Sequence, residues 1–170
     1  MKLALAQIDT TVGDLRGNSE RILSALDEAC RRGAALAVFP EQTLGGYPAL
    51  DLWEEPGFAS ANEKALSALA KKVRGTAALV GFVSRSKSKV GKPVRNSAAL
   101  LHNGKIVAVR HKTLLPTYDV FDEARYFEPA SENKPIAWGG LKLGVTICED
   151  AWAKAPDASQ IGRASCRERV

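Results

Sequence analysis

Between Lys2 and Val83 the sequence passes twice from an apolar run of strand length to an amphipathic run of helix length and back. Lys2–Ile8, Leu36–Phe39 and Ala77–Val83 are short and β-prone. Asn18 is placed to cap a first helix running to Arg32, with Ile22, Leu23, Leu26, Ala29 and Cys30 on one face and Gly33 as its stop. The Ser60-Ala61-Asn62-Glu63 stretch has the form of a capping box. It predicts a second helix that buries Leu66, Leu69, Ala70 and Val73 and ends at Gly75. This alternation predicts a mixed α/β fold with helices on one face of a sheet.

Two hairpins follow. Arg95–Leu101 and Lys105–Arg110 flank Asn103-Gly104, a dipeptide that suits a tight two-residue turn. Ile136–Trp138 and Leu141–Thr146 flank Gly139-Gly140. Ile147-Cys148-Glu149-Asp150 then starts a turn expected to lead into a helix.

Composition narrows the function classes. The chain has 170 residues, 45% of them hydrophobic, which is enough for one cored domain. No apolar run nears the ~18 residues of a membrane span, and the opening segment lacks a signal-peptide core. A soluble, cytoplasmic protein with no membrane partner is the expectation. The net charge is +5, but Arg31-Arg32, Lys71-Lys72 and Lys87 to Lys92 sit near predicted helix ends and a turn, with no aromatic residues between them. A stacking platform for nucleic acid is therefore not expected. Cys30, Cys148 and Cys166 form neither a CxxC pair nor a metal spacing, so no metal site is expected.

The last ten residues, Ile161 to Val170, read IGRASCRERV, and a reverse translation resembles a common sequencing-library adapter. They are expected to be a non-native, adapter-derived tail, the alternative being a genuine basic one. Without it the body carries +3.

Three reactive residues share one kind of place. Glu41, Lys112 and Cys148 each follow a predicted strand, and ligands of α/β sheets gather beyond the carboxyl ends of strands. A cysteine at a strand-to-helix turn also faces a helix N-terminus, which lowers a thiol's pKa. Each residue alone has an ordinary explanation. Cys30 is expected to be a buried small hydrophobe, and His102 and His111 to be turn and edge-strand residues.

The local words add to this. Val38-Phe39-Pro40-Glu41 with Gly45-Gly46-Tyr47-Pro48, then Arg110-His111-Lys112 with Leu115-Pro116, then Val145-Thr146-Ile147-Cys148-Glu149-Asp150 resemble the three catalytic motifs of the nitrilase, or carbon–nitrogen hydrolase, superfamily. PEQTLGGYPALDLW, KTLLPTYDVFDEARYF and ICEDAW look more particularly like the glutaminase domain of bacterial glutamine-dependent NAD synthetases. The resemblance implies the N-terminal portion of a nitrilase-like αββα sandwich, a partial glutamine amidohydrolase domain over residues 1–160.

It also implies roles. Glu41 becomes the general base, Lys112 the transition-state cation and Cys148 the nucleophile. Tyr118 would help bind glutamine, and Glu123 would be a second acidic residue near the nucleophile. No cofactor is implied for this portion. ATP, Mg and deamido-NAD would act in a covalently linked synthetase domain, and the intact protein is expected to be a homo-oligomer. The polypeptide as written is expected to be poorly folded or inactive. Competing readings are a free-standing amidase or nitrilase of the same superfamily, and a catalytically silent scaffold.

Overall fold

The computed structural model describes residues 1–88 and 90–152. The expected tail over residues 161–170, the boundary at residue 160 and any helix beyond Trp152 lie outside the described residues.

Three parallel strands open a five-stranded sheet: β1 (Leu3–Leu5), β2 (Leu36–Val38) and β3 (Ala77–Arg85). Strand β4 (Val94–His102) pairs antiparallel with β3, and β5 (Lys105–His111) antiparallel with β4. The spatial order is β1-β2-β3-β4-β5. Asn103 and Gly104 turn the last hairpin at φ 47° and 83°, the left-handed backbone that a two-residue I′ turn needs. A separate hairpin joins β6 (Ile136–Trp138) to β7 (Leu141–Leu143).

Helices α1 (Leu15–Arg31) and α2 (Phe58–Ala70) cover one sheet face. Ile22, Leu26 and Ala29 of α1 and Leu66 and Leu69 of α2 meet Ala37, Val80, Phe82, Ala99 and Leu101 of the sheet. Each buried leucine or isoleucine contributes roughly 1.5–3 kcal/mol. On the opposite face Leu36, Ala77, Ala98 and Leu100 pack with Ile136, Val145 and Ile147. The mixed α/β architecture matches the sequence expectation. Among the described residues, no helix is long and apolar enough to cross a membrane.

Several local expectations are corrected. Strand β1 stops at Leu5 rather than Ile8, because the chain then leaves the ladder after one more bond, from Ala6 N–H to the Val38 carbonyl. Asp14, not Asn18, caps α1 through the Gly17 N–H at 2.8 Å. Asn18 is fully buried one turn in, where its amide ties the Thr11 backbone N–H and C=O and the Leu44 carbonyl. Cys30 is exposed, on the rim of the helix rather than its core face.

The second helix starts at Phe58 after Gly57, so Ser60-Ala61-Asn62-Glu63 lies inside it and is not a capping box. Long-range bonds draw two of those residues away. Asn62 accepts from the Val83 N–H, and Glu63 accepts from the backbone and guanidinium of Arg85. Strand β7 ends at Leu143, not Thr146, and the Val145 carbonyl accepts from the Asn133 side chain instead of a neighbouring strand.

His111 sits on β5 with Nδ1 2.8 Å from the Ser97 hydroxyl. Burial, and then Arg95, Arg110 and Lys87, push its pKa down to about 4. An unfolded histidine titrates at ~6.5. Between those values the unfolded chain takes a proton that the folded chain refuses, so stability rises with pH across that window. Urea midpoints should climb from pH 4 to 6.5, and His111→Gln should flatten the climb; equal slopes in the two proteins would contradict this. Asn18→Ala should lower stability by about 1–3 kcal/mol, since it strands buried backbone groups of Thr11 and Leu44. The same urea titration at pH 7 measures it.

Candidate active site

The sheet topology brings two of the expected residues to one end. Strand β5 is antiparallel to β4, which is antiparallel to β3, so β5 runs in the direction of β2. Glu41 and Lys112 therefore emerge at the same end of the sheet, where β4 begins with Val94, Arg95 and Asn96. Strands β3 and β4 separate β2 from β5, a span of roughly 14 Å at ~4.8 Å per strand.

The chain leaving β2 closes part of that distance by crossing β3 at Gly81. A Cβ there would lie 2.4 Å from the Pro40 oxygen, 2.5 Å from the Gln42 nitrogen and 2.9 Å from the Glu41 carbonyl carbon. Only a glycine lets the backbone pass so close. Gln42 then turns through φ 50°, and its buried side chain accepts from the Trp53 indole at 3.1 Å.

Lys112 is the largest side chain in the fully buried set, 1% exposed. Its backbone continues the β5 ladder through a 2.9 Å bond to the Asn96 carbonyl. Its Nζ donates to Glu41 Oε1 and to Glu123 Oε1, both at 2.8 Å. Glu123 opens the short helix α3 (Glu123–Tyr126) and is itself buried. Asn96 Nδ2 donates to the same Glu41 oxygen at 2.6 Å. Burial alone would lower the Lys112 pKa, but Glu41 and Glu123 outweigh it and raise the value above that of an ordinary lysine. Burial, with the Glu41 charge adding to it, raises Glu123 despite its bond to Lys112.

Cys148 stands at a sharp turn with φ 47°, a left-handed backbone unusual for a residue with a side chain. The described chain from Cys148 to Trp152 is a 3₁₀ turn, and the helix expected after the turn lies outside the described residues. The thiol pKa is raised, not lowered. Desolvation of the sulfur comes first although the residue's surface is open, because its inner side faces protein; Glu41 adds to it, and Lys112 and the Glu149 backbone N–H oppose it. The resting sulfur is thus a neutral thiol beside a carboxylate that can accept its proton.

Tyr118 is more than half exposed, and its hydroxyl donates to Glu149 Oε2 at 2.7 Å. The Cys148 charge contributes to raising its pKa, after the Glu149 bond and desolvation. Glu41, Lys112, Cys148, Tyr118 and Glu123 thus all fall in one region. Two surface grooves, of about 600 and 590 Å³, one along α2 and one between α2 and the β3–β5 strands, include none of these residues.

Comparison with known proteins bears on this geometry. Residues 2–155 match the carbon-nitrogen hydrolase family. The chain belongs to that family.

Among curated relatives, the glutamine-dependent NAD(+) synthetase of Synechocystis is 44% identical over 154 residues, which cover 88% of this chain and 28% of that protein. The chain thus spans little more than a quarter of that relative's length. A solved glutamine-dependent NAD+ synthetase from Acinetobacter baumannii superposes with a TM-score of 0.82 at 35% identity, covering 89% of this chain and 28% of that one. A carbon-nitrogen hydrolase from Helicobacter pylori gives 0.70 at 25% identity, covering 90% and 53%.

In this carbon-nitrogen hydrolase, reasoning from the sequence missed four neighbours of the site. Asn96 lies between Arg95 and Ser97 at the start of β4, and nothing local marks it as a partner of Glu41. Tyr47 is coupled to Glu123 and Glu41 and, chiefly through burial, is pushed up to about 12. Glu149 meets Tyr118. Asp150 is 2% exposed and accepts bonds from Thr113, Leu114 and Ile147. Only the adjacency of Glu149 and Asp150 to Cys148 could have flagged the last two.

Removing the buried cation should be costly. Lys112→Met leaves Glu41 and Glu123 facing each other without compensation, and such a break costs about 3–5 kcal/mol. Glu123 already holds its proton more tightly folded than unfolded. Without Lys112 the folded state keeps a proton that the unfolded state, with a Glu pKa of ~4.3, has lost. The loss relative to the unsubstituted chain should therefore be greater at pH 7 than at pH 5. Urea titrations of both proteins at the two values check it, and a loss independent of pH would contradict it.

Proposed function

We propose that this chain carries the amide-cleaving site of a glutamine amidohydrolase, with Cys148 as nucleophile, Glu41 as general base and Lys112 as the cation that stabilises the oxyanion in the intact enzyme. The observation that carries this reading is the buried Lys112 held at 2.8 Å by Glu41, with Cys148 in electrostatic reach of both.

A raised thiol pKa requires proton removal during attack rather than a standing thiolate. Glu41 takes the proton as the Cys148 sulfur bonds to the carboxamide carbon of glutamine. The carbonyl oxygen gathers negative charge, which Lys112 and the Glu149 backbone N–H meet; one well-placed donor of this kind is worth about 2.7–4 kcal/mol. Protonated Glu41 returns the proton to the departing ammonia, leaving a Cys148 thioester. Water then gives its proton to Glu41 as its oxygen displaces the sulfur, and glutamate leaves. The proton ends on the thiol, so glutamine and water become glutamate and ammonia.

Tyr118 and Glu149, paired beside the thiol, offer a hydroxyl and a carboxylate to the amino-acid end of the substrate. Glu123 does not touch the thiol's proton path in this scheme. It holds Lys112 from the side opposite Glu41, so that the ammonium cannot follow Glu41 when that carboxylate is protonated.

The ammonia is proposed to serve amidation of deamido-NAD by an ATP- and Mg-using synthetase unit. The names of the Synechocystis and Acinetobacter baumannii relatives support this.

Treatment with 6-diazo-5-oxo-L-norleucine, a glutamine-like electrophile, followed by peptide mapping tests the site. Label should fall on Cys148, be blocked by glutamine and not by a simple amide such as acetamide, and spare the exposed Cys30. Glu41→Gln should slow it by about a hundred- to ten-thousand-fold. Equal labelling of Cys30 and Cys148 would sink the proposal, and protection by acetamide as strong as by glutamine would replace glutamine with a simple amide.

A further inference from the structure

The turn that carries Cys148 is closed on itself and pinned at one point. Asp150 N–H donates to the Ile147 carbonyl at 3.1 Å, and the Ile147 N–H donates back to Asp150 Oδ2 at 3.2 Å. Cys148, in its left-handed backbone, sits at the tip of this ring. A non-glycine residue held there is strained and persists only where its surroundings fix it.

The other carboxylate oxygen reaches across the site. Asp150 Oδ1 accepts from the Thr113 N–H at 3.0 Å, the Thr113 hydroxyl at 2.7 Å and the Leu114 N–H at 2.9 Å. Thr113 and Leu114 directly follow Lys112. One carboxylate that is 2% exposed thus joins the thiol's turn to the backbone that delivers the buried ammonium. Four donors on a single ionised acceptor form a charge-assisted set, stronger than neutral bonds of the same number.

We infer that Asp150 is a positioning residue that fixes the distance and direction between the Cys148 thiol and the Glu41–Lys112 pair. Its value for the reaction rests on the reading of Cys148 as nucleophile. The thiol faces Glu41 after β2, Lys112 after β5, Glu123 on α3, and the tyrosines Tyr47 and Tyr118 with Glu149 beside it. With Asp150 in place the sulfur is held among these groups, its inner side against protein although the residue's surface is open. When the turn is released, the sulfur regains water and moves from the carboxylates, so its pKa falls back towards the ordinary thiol value. General reactivity then rises while oriented reactivity falls, and a urea midpoint unchanged at the labelling temperature separates this opposition from simple unfolding.

Asp150→Asn is the discriminating variant. It preserves shape and one acceptor, but sets an amide N–H₂ against either Ile147 N–H or the Thr113 and Leu114 N–H groups. The unsubstituted chain and the variant are alkylated with iodoacetamide across pH 6–10, and Cys148 is followed by peptide mapping. The variant's midpoint should lie lower, while Cys30 in the same sample keeps its profile. Labelling by 6-diazo-5-oxo-L-norleucine should slow by about ten- to a hundred-fold, the scale of loss for a misplaced reacting group.

Thr113→Val removes the 2.7 Å hydroxyl bond and leaves the other three. It should shift both readouts the same way by less, and it serves if the Asn variant does not fold. An unchanged Cys148 midpoint in a folded variant overturns the positioning role. A lowered midpoint in a protein whose Cys148 the glutamine analogue never labels keeps that role and overturns the nucleophile reading instead.

Discussion

A lysine ammonium with 1% exposure cannot remain charged inside a protein unless its surroundings supply what water did. Glu41 and Glu123 do so from two sides at 2.8 Å each. The arrangement ties together three segments distant in sequence: the loop after β2, the end of β5 and the short α3. Desolvation works against all three charges, and their mutual attraction is what offsets it. Burial first, and then the Glu41 charge, raise Glu123 although Lys112 bonds to it. Desolvation, with Glu41 adding to it, raises the Cys148 thiol in the same way.

The sheet makes this possible through direction rather than proximity. Two successive antiparallel pairings return β5 to the heading of β2, so their ends share a rim even though two strands lie between them. Asn96, at the start of the intervening β4, spans the gap by accepting from the Lys112 backbone with its own carbonyl and donating to Glu41 with its side chain. Every group at this rim is therefore placed by ladder hydrogen bonds or by a neighbour that is. Loops carry the chemistry, and strands fix where the loops begin.

Much of this was legible in the sequence. Among the described residues, hydrophobic periodicity located α1, α2 and the seven strands, because burial on one face leaves a repeat that needs no knowledge of partners; the single turn of α3 is too short to leave one. The three motifs located Glu41, Lys112 and Cys148, each beyond a strand. What failed were inferences that needed long-range partners. Asn18 looks like a cap, but the Thr11 and Leu44 backbone groups claim its amide. Ser60-Ala61-Asn62-Glu63 looks like a capping box, but Val83 and Arg85 claim two of its members. The thiol was expected to be acidified by a helix, but its environment is set by carboxylates that arrive from residues 41 and 123. Asn96 and Asp150 were missed for the same reason, since their bonds run to residues far along the chain.

A binding site is usually catalogued by the groups it presents, and such a catalogue would omit position 81. Gly81 contributes an absence: where its side chain would be, the Pro40–Gln42 backbone passes. A mutational map of this chain would show a residue without a functional group, in the middle of a strand, tolerating substitution as poorly as the reactive side chains do. Schemes that rank residues by titratable or nucleophilic character would pass over it. For redesign, the room available to the Glu41 loop is set by β3 from beneath, and any enlargement there displaces Glu41 itself.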